Sequence, residues 1–316
     1  LFALNLYSHL RENRENVSFS PSSLFMALVM IWEGARGKTA EEMRSVLSFP
    51  RGEGRELAAL GEKLNRSEGR YQIHTANALW LQEGLGLLPE YVKTVEEQYG
   101  AKAIPADFSR DPAGSCRRIN SWVEEQTKGR IKDLILQGMI KTDTRLVLTN
   151  AVYFKGEWVR RFPAENTQTE EFKTLQGWMV KVPMMHQKDR FPYSENENLQ
   201  ILEMPYEEEI FSMLIILPRK GQLETVEKSL SVENLNRWQK EMRPEEVKVH
   251  LPKFGTEGRC SLKGELQKMG LNLAFRRGEA DFSGMTEPET SASTRWCTNP
   301  LWKWTKRARK RPQPPG

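Results

Sequence analysis

RLVLTNAVYFKG, residues 145–156, is apolar on both of its alternating sets of positions. A strand with one face in water alternates apolar and polar residues, so this run predicts a central strand covered on both faces. Asn150 stands in its middle. A buried amide left without partners costs on the order of 1–3 kcal/mol. Asn150 is therefore read either as satisfied by backbone groups or as a member of a built polar cluster. Working outward, YQIHTANALWLQ (71–82) reads as a long strand, IFSMLIILP (210–218) as a second strand covered on both faces, and VKVHLPKF (247–254) as a half-exposed one.

Helical segments lie between these strands. Ser20 and Pro21 suit the cap and first position of a helix that carries Leu24, Phe25, Leu28 and Trp32 on one side and stops at Gly34 and Gly37. Thr39 and Glu42 have the spacing of a capping box for the next helix. LPEYVKTVEEQYG (88–100, with Pro89 early and Gly100 as its stop) reads as a helix. CRRINSWVEEQTKG (116–129) is amphipathic, with Ile119, Trp122 and Val123 on one side. Several strands follow one another between about 170 and 218, which favours a mixed α+β fold over simple βαβ winding.

The composition bounds function. The chain has 316 residues, 38% of them hydrophobic, enough for a real core. Its net charge of +5 is unevenly placed. TRWCTNPLWKWTKRARKRPQPPG (294–316) holds seven basic residues, Trp296, Trp302, Trp304 and no acid. Without those seven, 40 basic side chains face 42 acidic ones, a net charge of −2, so the body gives no reason to expect nucleic acid. Cys116, Cys260 and Cys297 are far apart and have no second sulfur nearby. His9, His74, His186 and His250 do not cluster along the sequence, so no metal site and no cofactor are expected. No apolar run is long enough for a bilayer. G-x-S-x-G, P-loop, G-x-G-x-x-G and H-E-x-x-H patterns are missing from the sequence, so an enzyme is not expected.

Eight segments together carry a resemblance. They are VSFSPSSLFMAL (17–28), GARGKTAEEM (34–43), INSWVEEQTKGRIKDLI (119–135), LVLTNAVYFKGEW (146–158), VPMMHQKDRFPY (182–193), LEMPYEEEIFSMLIILP (202–218), VKVHLPKF (247–254) and LQKMGLNLAFRRGEADFSGMT (266–286). In this order and spacing the chain resembles the serpins, a family of serine protease inhibitors, and is most similar to their intracellular, ovalbumin-like clade. The resemblance runs over residues 1–288, with the chain starting inside the family's first helix.

The resemblance implies one domain of three β-sheets with a shell of about eight or nine helices, monomeric when intact. It implies a suicide inhibitor of serine, and in some members cysteine, proteases. A reactive loop is cleaved and inserts as a new strand in the central sheet. It also implies no membrane partner. Cytoplasmic location follows from the clade, although the family has extracellular members. Ser20, Ser22 and Asn150 match the polar cluster where the sheet opens, called the shutter. Trp158 and Lys253 match the breach, where insertion begins, and the basic residue there pairs with a hinge glutamate.

After ADFSGMTEPE (280–289) the family continues into a strand with a histidine, a Glu- and Ala-rich hinge, the reactive loop and two core strands, whereas residues 289–316 read as none of these. Reactive-site residues are thus absent from the sequence, and as written it is expected not to inhibit. The genetic code supplies a reason. Tryptophan has the single codon TGG. Read one nucleotide earlier, the codons of Trp296–Thr305 force a Val, a Glu and an Asp, and permit Val-Val-His-Lys-Pro-Phe-Val-Glu-Val-Asp. The codons of Lys306–Gly316 permit Glu-Glu-Gly-Thr-Glu-Ala-Ala-Ala-Ala-Thr-Gly. Residues 289–316 are accordingly expected to be a hinge region translated out of frame. The alternatives are a non-inhibitory binding protein of the same fold, or a basic tail used for nuclear import or nucleic-acid binding.

Overall fold

The computed structural model describes residues 1–13, 16–48, 71–129, 131–254, 262–276 and 278–286. They divide into two compact units. The class is mixed α+β, as expected from the sequence.

The first unit holds α1 (Phe2–Leu10), α2 (Pro21–Gly34), α3 (Gly37–Leu47), α4 (Pro89–Tyr99), α5 (Pro112–Gln126) and α8 (Leu262–Lys268) around strands β1 (Gln72–Gln82), β2 (Lys102–Ala106) and β3 (Leu146–Lys155). The strand order is β2-β1-β3. β1 and β2 run parallel, with Ala78 opposite Lys102 and Gln82 opposite Ala106, so their connection needs a crossover, which α4 supplies. Gly100 ends α4 in the left-handed region at φ 58°, where a side chain would be strained.

Alternation along β1 fills both faces of this sheet. Leu79 and Leu81 join Leu148 of β3 in a core built with α1, α2, α3, α4 and α8. Ala78 and Trp80 join Val147 of β3 and Ile119 and Val123 of α5 in a second core. Burying a side chain of this size stabilises by roughly 1.5–3 kcal/mol. The expectation of a strand covered on both faces is met by Val147 and Leu148. Its central position is not: among the described residues β1 is central and β3 has one neighbour.

Two cap expectations also change. Ser20 is the N-cap of α2 but makes no side-chain capping bond. Thr39 and Glu42 do not form a capping box, because α3 begins at Gly37 with Arg36 as its N-cap. Their oxygens are used across the fold instead. Thr39 Oγ1 accepts the Asp281 N–H at 3.0 Å, and Glu42 Oε2 accepts the Asn272 and Leu273 N–H groups at 2.7 Å each. Two backbone bonds, Arg36 N–H to Asp281 O at 2.9 Å and Gly284 N–H to Gly34 O at 3.1 Å, complete this clamp. The ADFSGM segment is thereby fastened onto the α2–α3 corner.

The second unit holds β4 (Gln168–Lys173), β5 (Met179–Glu195), β6 (Leu199–Pro205), β7 (Ser212–Pro218), α6 (Leu223–Ser229), α7 (Val232–Glu241) and β8 (Arg243–Pro252). The ladder runs β4-β5-β6-β7, and β8 pairs with β5. β4 bonds only Met179–Met184 of β5, and β6 only Tyr193–Glu195, so one long strand serves two separate strand sets. Leu199 and Ile201 of β6 pack against Val226 of α6 and Trp238 and Met242 of α7. Leu202 and Met204 face the other way, onto Phe191 and Val249. β8 alternates as expected, with Val249 buried between exposed Lys248 and His250. β7 departs from its expectation: it is half-exposed, and Leu217 is 56% accessible.

Candidate functional site

The sequence-derived site residues fall in both units. In the first, Ser20 stands at the entry of α2 and its Oγ lies 3.4 Å from Ser22 Oγ. Ser20 is half-buried and Ser22 is exposed. Their neighbour Ser23 is buried, and its Oγ has no hydrogen-bond partner among the described residues. Asn150 lies within β3, but its side chain is outside the described residues, so the Ser20–Ser22 pair is the described part of the expected cluster.

Sequence reading missed the residue beside it. Thr149 is 2% exposed, accepts the Trp80 indole N–H at 3.0 Å and donates to Ala78 O at 3.3 Å. One hydroxyl therefore ties β3 to β1 through both a side chain and the backbone. A threonine inside an apolar strand was the available signal, but its partners lie far back in the chain.

In the second unit, Trp158 stacks on Tyr206 with ring centroids 4.2 Å apart and an interplanar angle of 15°. The two residues also form a β-bridge. Flanking it are Val159 N–H to Pro205 O at 3.1 Å and Glu207 N–H to Glu157 O at 2.8 Å. Arg161 closes the outer side, reaching Glu157 Oε2 at 2.6 Å and Glu207 Oε1 at 2.8 Å. The Glu207 bond, then the Glu157 charge, hold the guanidinium pKa above its ordinary value. Burial pushes the Tyr206 hydroxyl up to about 12, since a buried phenolate loses its hydration.

Lys253 follows β8, with its backbone N–H on Pro183 O at 2.8 Å. Its side chain is exposed and has no ion pair among the described residues.

Two histidines that lie far apart along the chain meet in the fold. His186 and His250 are directly opposite in the antiparallel β5–β8 register, and Glu170 of β4 reaches the same place. Their separation along the chain hid a pairing set by long-range register. Cys116 is a buried free thiol donating to Ile135 O at 3.4 Å, and burial raises its pKa. Cys260 and Cys297 lie outside the described residues.

Residues 1–295 match the family model described as Serpin (serine protease inhibitor). An uncharacterized serpin-like protein of Thermococcus kodakarensis is 46% identical over 295 residues, covering 92% of this chain and 68% of the relative. The leukocyte elastase inhibitor of Xenopus laevis is 37% identical over 297 residues, covering 90% and 79%. Among solved structures, uncleaved ovalbumin superposes with a TM-score of 0.87 at 28% identity, covering 96% of this chain and 82% of ovalbumin. Reactive-loop-cleaved human thyroxine-binding globulin superposes with a TM-score of 0.85 at 32% identity, covering 90% and 86%.

Proposed function

Because this chain belongs to the serpin family, we propose that its fold is the scaffold of a protease inhibitor that works as a suicide substrate. A serine protease cleaves an exposed reactive loop; the freed loop adds as a strand beside β3 and holds the acyl-enzyme. The observation that carries this reading is the one-sided bonding of β3. Among the described residues it pairs with β1 alone. A strand edge presents a row of N–H and C=O groups, and an extended segment adds there by backbone hydrogen bonds. Ser20, Ser22 and Asn150 are assigned to the polar cluster where the sheet opens. Trp158 and Lys253 are assigned to the entry point, with the exposed ammonium of Lys253 available to a hinge glutamate. The target is a serine protease, the location cytoplasmic, and the protein is not an enzyme.

Residues 289–316 as written contain no Glu- and Ala-rich hinge. This sequence is therefore expected to form no trapped complex, while the same body joined to a hinge and loop in the restored frame forms one. The test is incubation of both forms with elastase-like, chymotrypsin-like and trypsin-like enzymes, followed by denaturing electrophoresis. An SDS-stable complex from the sequence as written overturns the first statement. No complex from the restored form with any of the three favours the second reading, a non-inhibitory binding protein. That reading draws on a neighbour described as thyroxine-binding globulin in complex with thyroxine, 30% identical with a TM-score of 0.86. Cell fractionation checks the location.

A further inference from the structure

We propose that Glu170, His186 and His250 bind one zinc-class dication on the face shared by β4, β5 and β8. In the antiparallel register His186 of β5 pairs with His250 of β8, flanked on the same face by the Met184–Pro252 and Lys188–Lys248 pairs. Cross-strand partners project from the same face of a sheet, so both imidazoles reach the same point. Their ring centroids are 4.3 Å apart at 63°. β4 lies along the first part of β5, with Glu170 opposite Val182, and its carboxylate extends forward until Oε1 is 2.8 Å from His186 Nε2. One ligand atom from each residue lies within 4.8 Å of the other two.

That spacing suits an ion. Zinc–nitrogen and zinc–carboxylate bonds are about 2.0–2.2 Å, so tetrahedral ligand atoms stand roughly 3.4 Å apart. The observed separations, from 2.8 Å to no more than 4.8 Å, bracket this value, and small side-chain rotations close the difference.

A surface His–Glu pair accounts for less. His186 Nε2 is sealed from solvent and has no hydrogen-bond partner of acceptable direction among the described residues, although Glu170 Oε1 is only 2.8 Å away. The contact is right in distance and wrong in angle for a hydrogen bond. A buried polar atom in that position needs an explanation, and a shared cation placed between nitrogen and oxygen supplies one.

Two imidazoles and one carboxylate form a borderline donor set. It suits Zn²⁺, with Ni²⁺ and Cu²⁺ as weaker-specificity competitors, and disfavours Mg²⁺ and Ca²⁺, which prefer oxygen alone. Three protein ligands leave a fourth position for water. His250 is on the exposed side, so the ion has a path in. Binding would fasten β4 to both β5 and β8 by one coordination centre, beyond the ladder bonds already present.

The experiment uses the full 316-residue chain, titrated with ZnCl₂ by calorimetry and with CoCl₂ by visible absorption. One equivalent of zinc with micromolar affinity, and a cobalt d–d band of tetrahedral strength, are expected. His250→Gln changes an exposed side chain and leaves the fold intact by circular dichroism. It should weaken zinc at least about tenfold, as should Glu170→Gln and His186→Ala. A Cys260→Ser/Cys297→Ser double variant should bind as the parent does. Zinc binding no tighter than about 1 mM, or affinity unchanged in His250→Gln and Glu170→Gln, or loss of binding in the cysteine variant, would each overturn the assignment.

Discussion

The indole of Trp158 lies flat on the ring of Tyr206, 4.2 Å between centroids, while the backbones of the same two residues bridge. Side chain and main chain therefore fix one junction twice. Removing the indole loses the stack and leaves a gap against the cluster of Phe191, Leu202, Met204 and Val249, on which Trp158 packs. Trp158 is half-buried, so Trp158→Ala should cost about 2–3 kcal/mol, below the range for fully buried aromatics. Trp158→Phe should cost about 1 kcal/mol or less by keeping a stacked ring. Urea unfolding of the two variants checks this, and equal losses would show that the ring contact contributes nothing.

Tyr206 gives the same junction a pH signature. Its folded pKa, raised to about 12 by burial, exceeds the ordinary phenol value of about 10. A group with a raised folded pKa contributes stability that is complete below the unfolded value and is lost as pH rises through the folded one. Stability should therefore fall between about pH 10 and 12, and Tyr206→Phe should flatten part of that fall. Tyr91 contributes separately, raised first by burial and then by the Glu33 charge, with its hydroxyl donating to Met30 O at 3.0 Å. At the acid end the sign reverses. Asp107 is held low first by the Arg110 N–H, and Glu195 first by the Tyr193 hydroxyl, so their contribution is present above the ordinary carboxylate pKa and lost as pH falls below it. Melting temperatures measured across both limbs test the scheme; an alkaline slope identical in Tyr206→Phe removes its basis.

Next to Tyr206 the chain turns through YEEE (206–209), where Glu209 N–H bonds Tyr206 O at 2.9 Å. Glu208 and Glu209 have φ of 73° and 54°. A side chain in that region costs roughly 1–2 kcal/mol, and glycine does not incur it. Glu209→Gly should therefore stabilise by about 1 kcal/mol despite its entropy cost, and Glu209→Pro should destabilise because proline locks φ near −65° and removes the N–H that bonds Tyr206 O. Thermal melts of both variants decide the matter. A lowered melting temperature in Glu209→Gly would mean that the carboxylate itself holds the turn.

In the other unit, the Thr149 hydroxyl is the acceptor for Trp80, which is 1% exposed. Thr149→Val preserves shape and strands the indole N–H in a dry core, at a cost of about 1–3 kcal/mol. Thr149→Ser keeps the hydroxyl and should lose less. If Val and Ser variants unfold at the same urea concentration, the bond between β1 and β3 carries no weight.

What could be read from the sequence depended on how far away each residue's partners were. β1, α4 and α5 were legible because periodicity and punctuation are local: Pro89 and Gly100 bound α4, and Ile119 and Val123 mark one face of α5. Ser20 was placed correctly as a cap residue, but its hydroxyl turns to Ser22. Thr39 and Glu42 had the right spacing for a local cap, yet their partners are Asp281, Asn272 and Leu273, which no local rule can supply. His186 and His250 failed for the same reason, since their meeting is a consequence of strand register. Trp158 was singled out through its surrounding sequence, while Tyr206, which stacks on it, was not.

Residues 289–316 pose a question that the coding DNA answers. We propose that they are a hinge region read out of frame, on the basis of the forced Val, Glu and Asp in Trp296–Thr305 and the permitted alanine run beyond. The match with the serpin model reaches residue 295 and Trp296 follows at once. A shift of one nucleotide converts a basic, tryptophan-rich stretch into an acidic, alanine-rich one without opening a gap. In the restored frame, translation is expected to pass through the hinge into a reactive loop and then into two apolar strands. An independent transcript and the genomic DNA across codons 285–316 give the test. The exposed Lys253 ammonium would then gain the hinge glutamate as its partner, so Lys253→Met should slow complex formation by the restored form while leaving its urea midpoint unchanged. A stop codon before the loop in the alternative frame, or a reading that encodes no loop and no strands, would make the basic tail genuine.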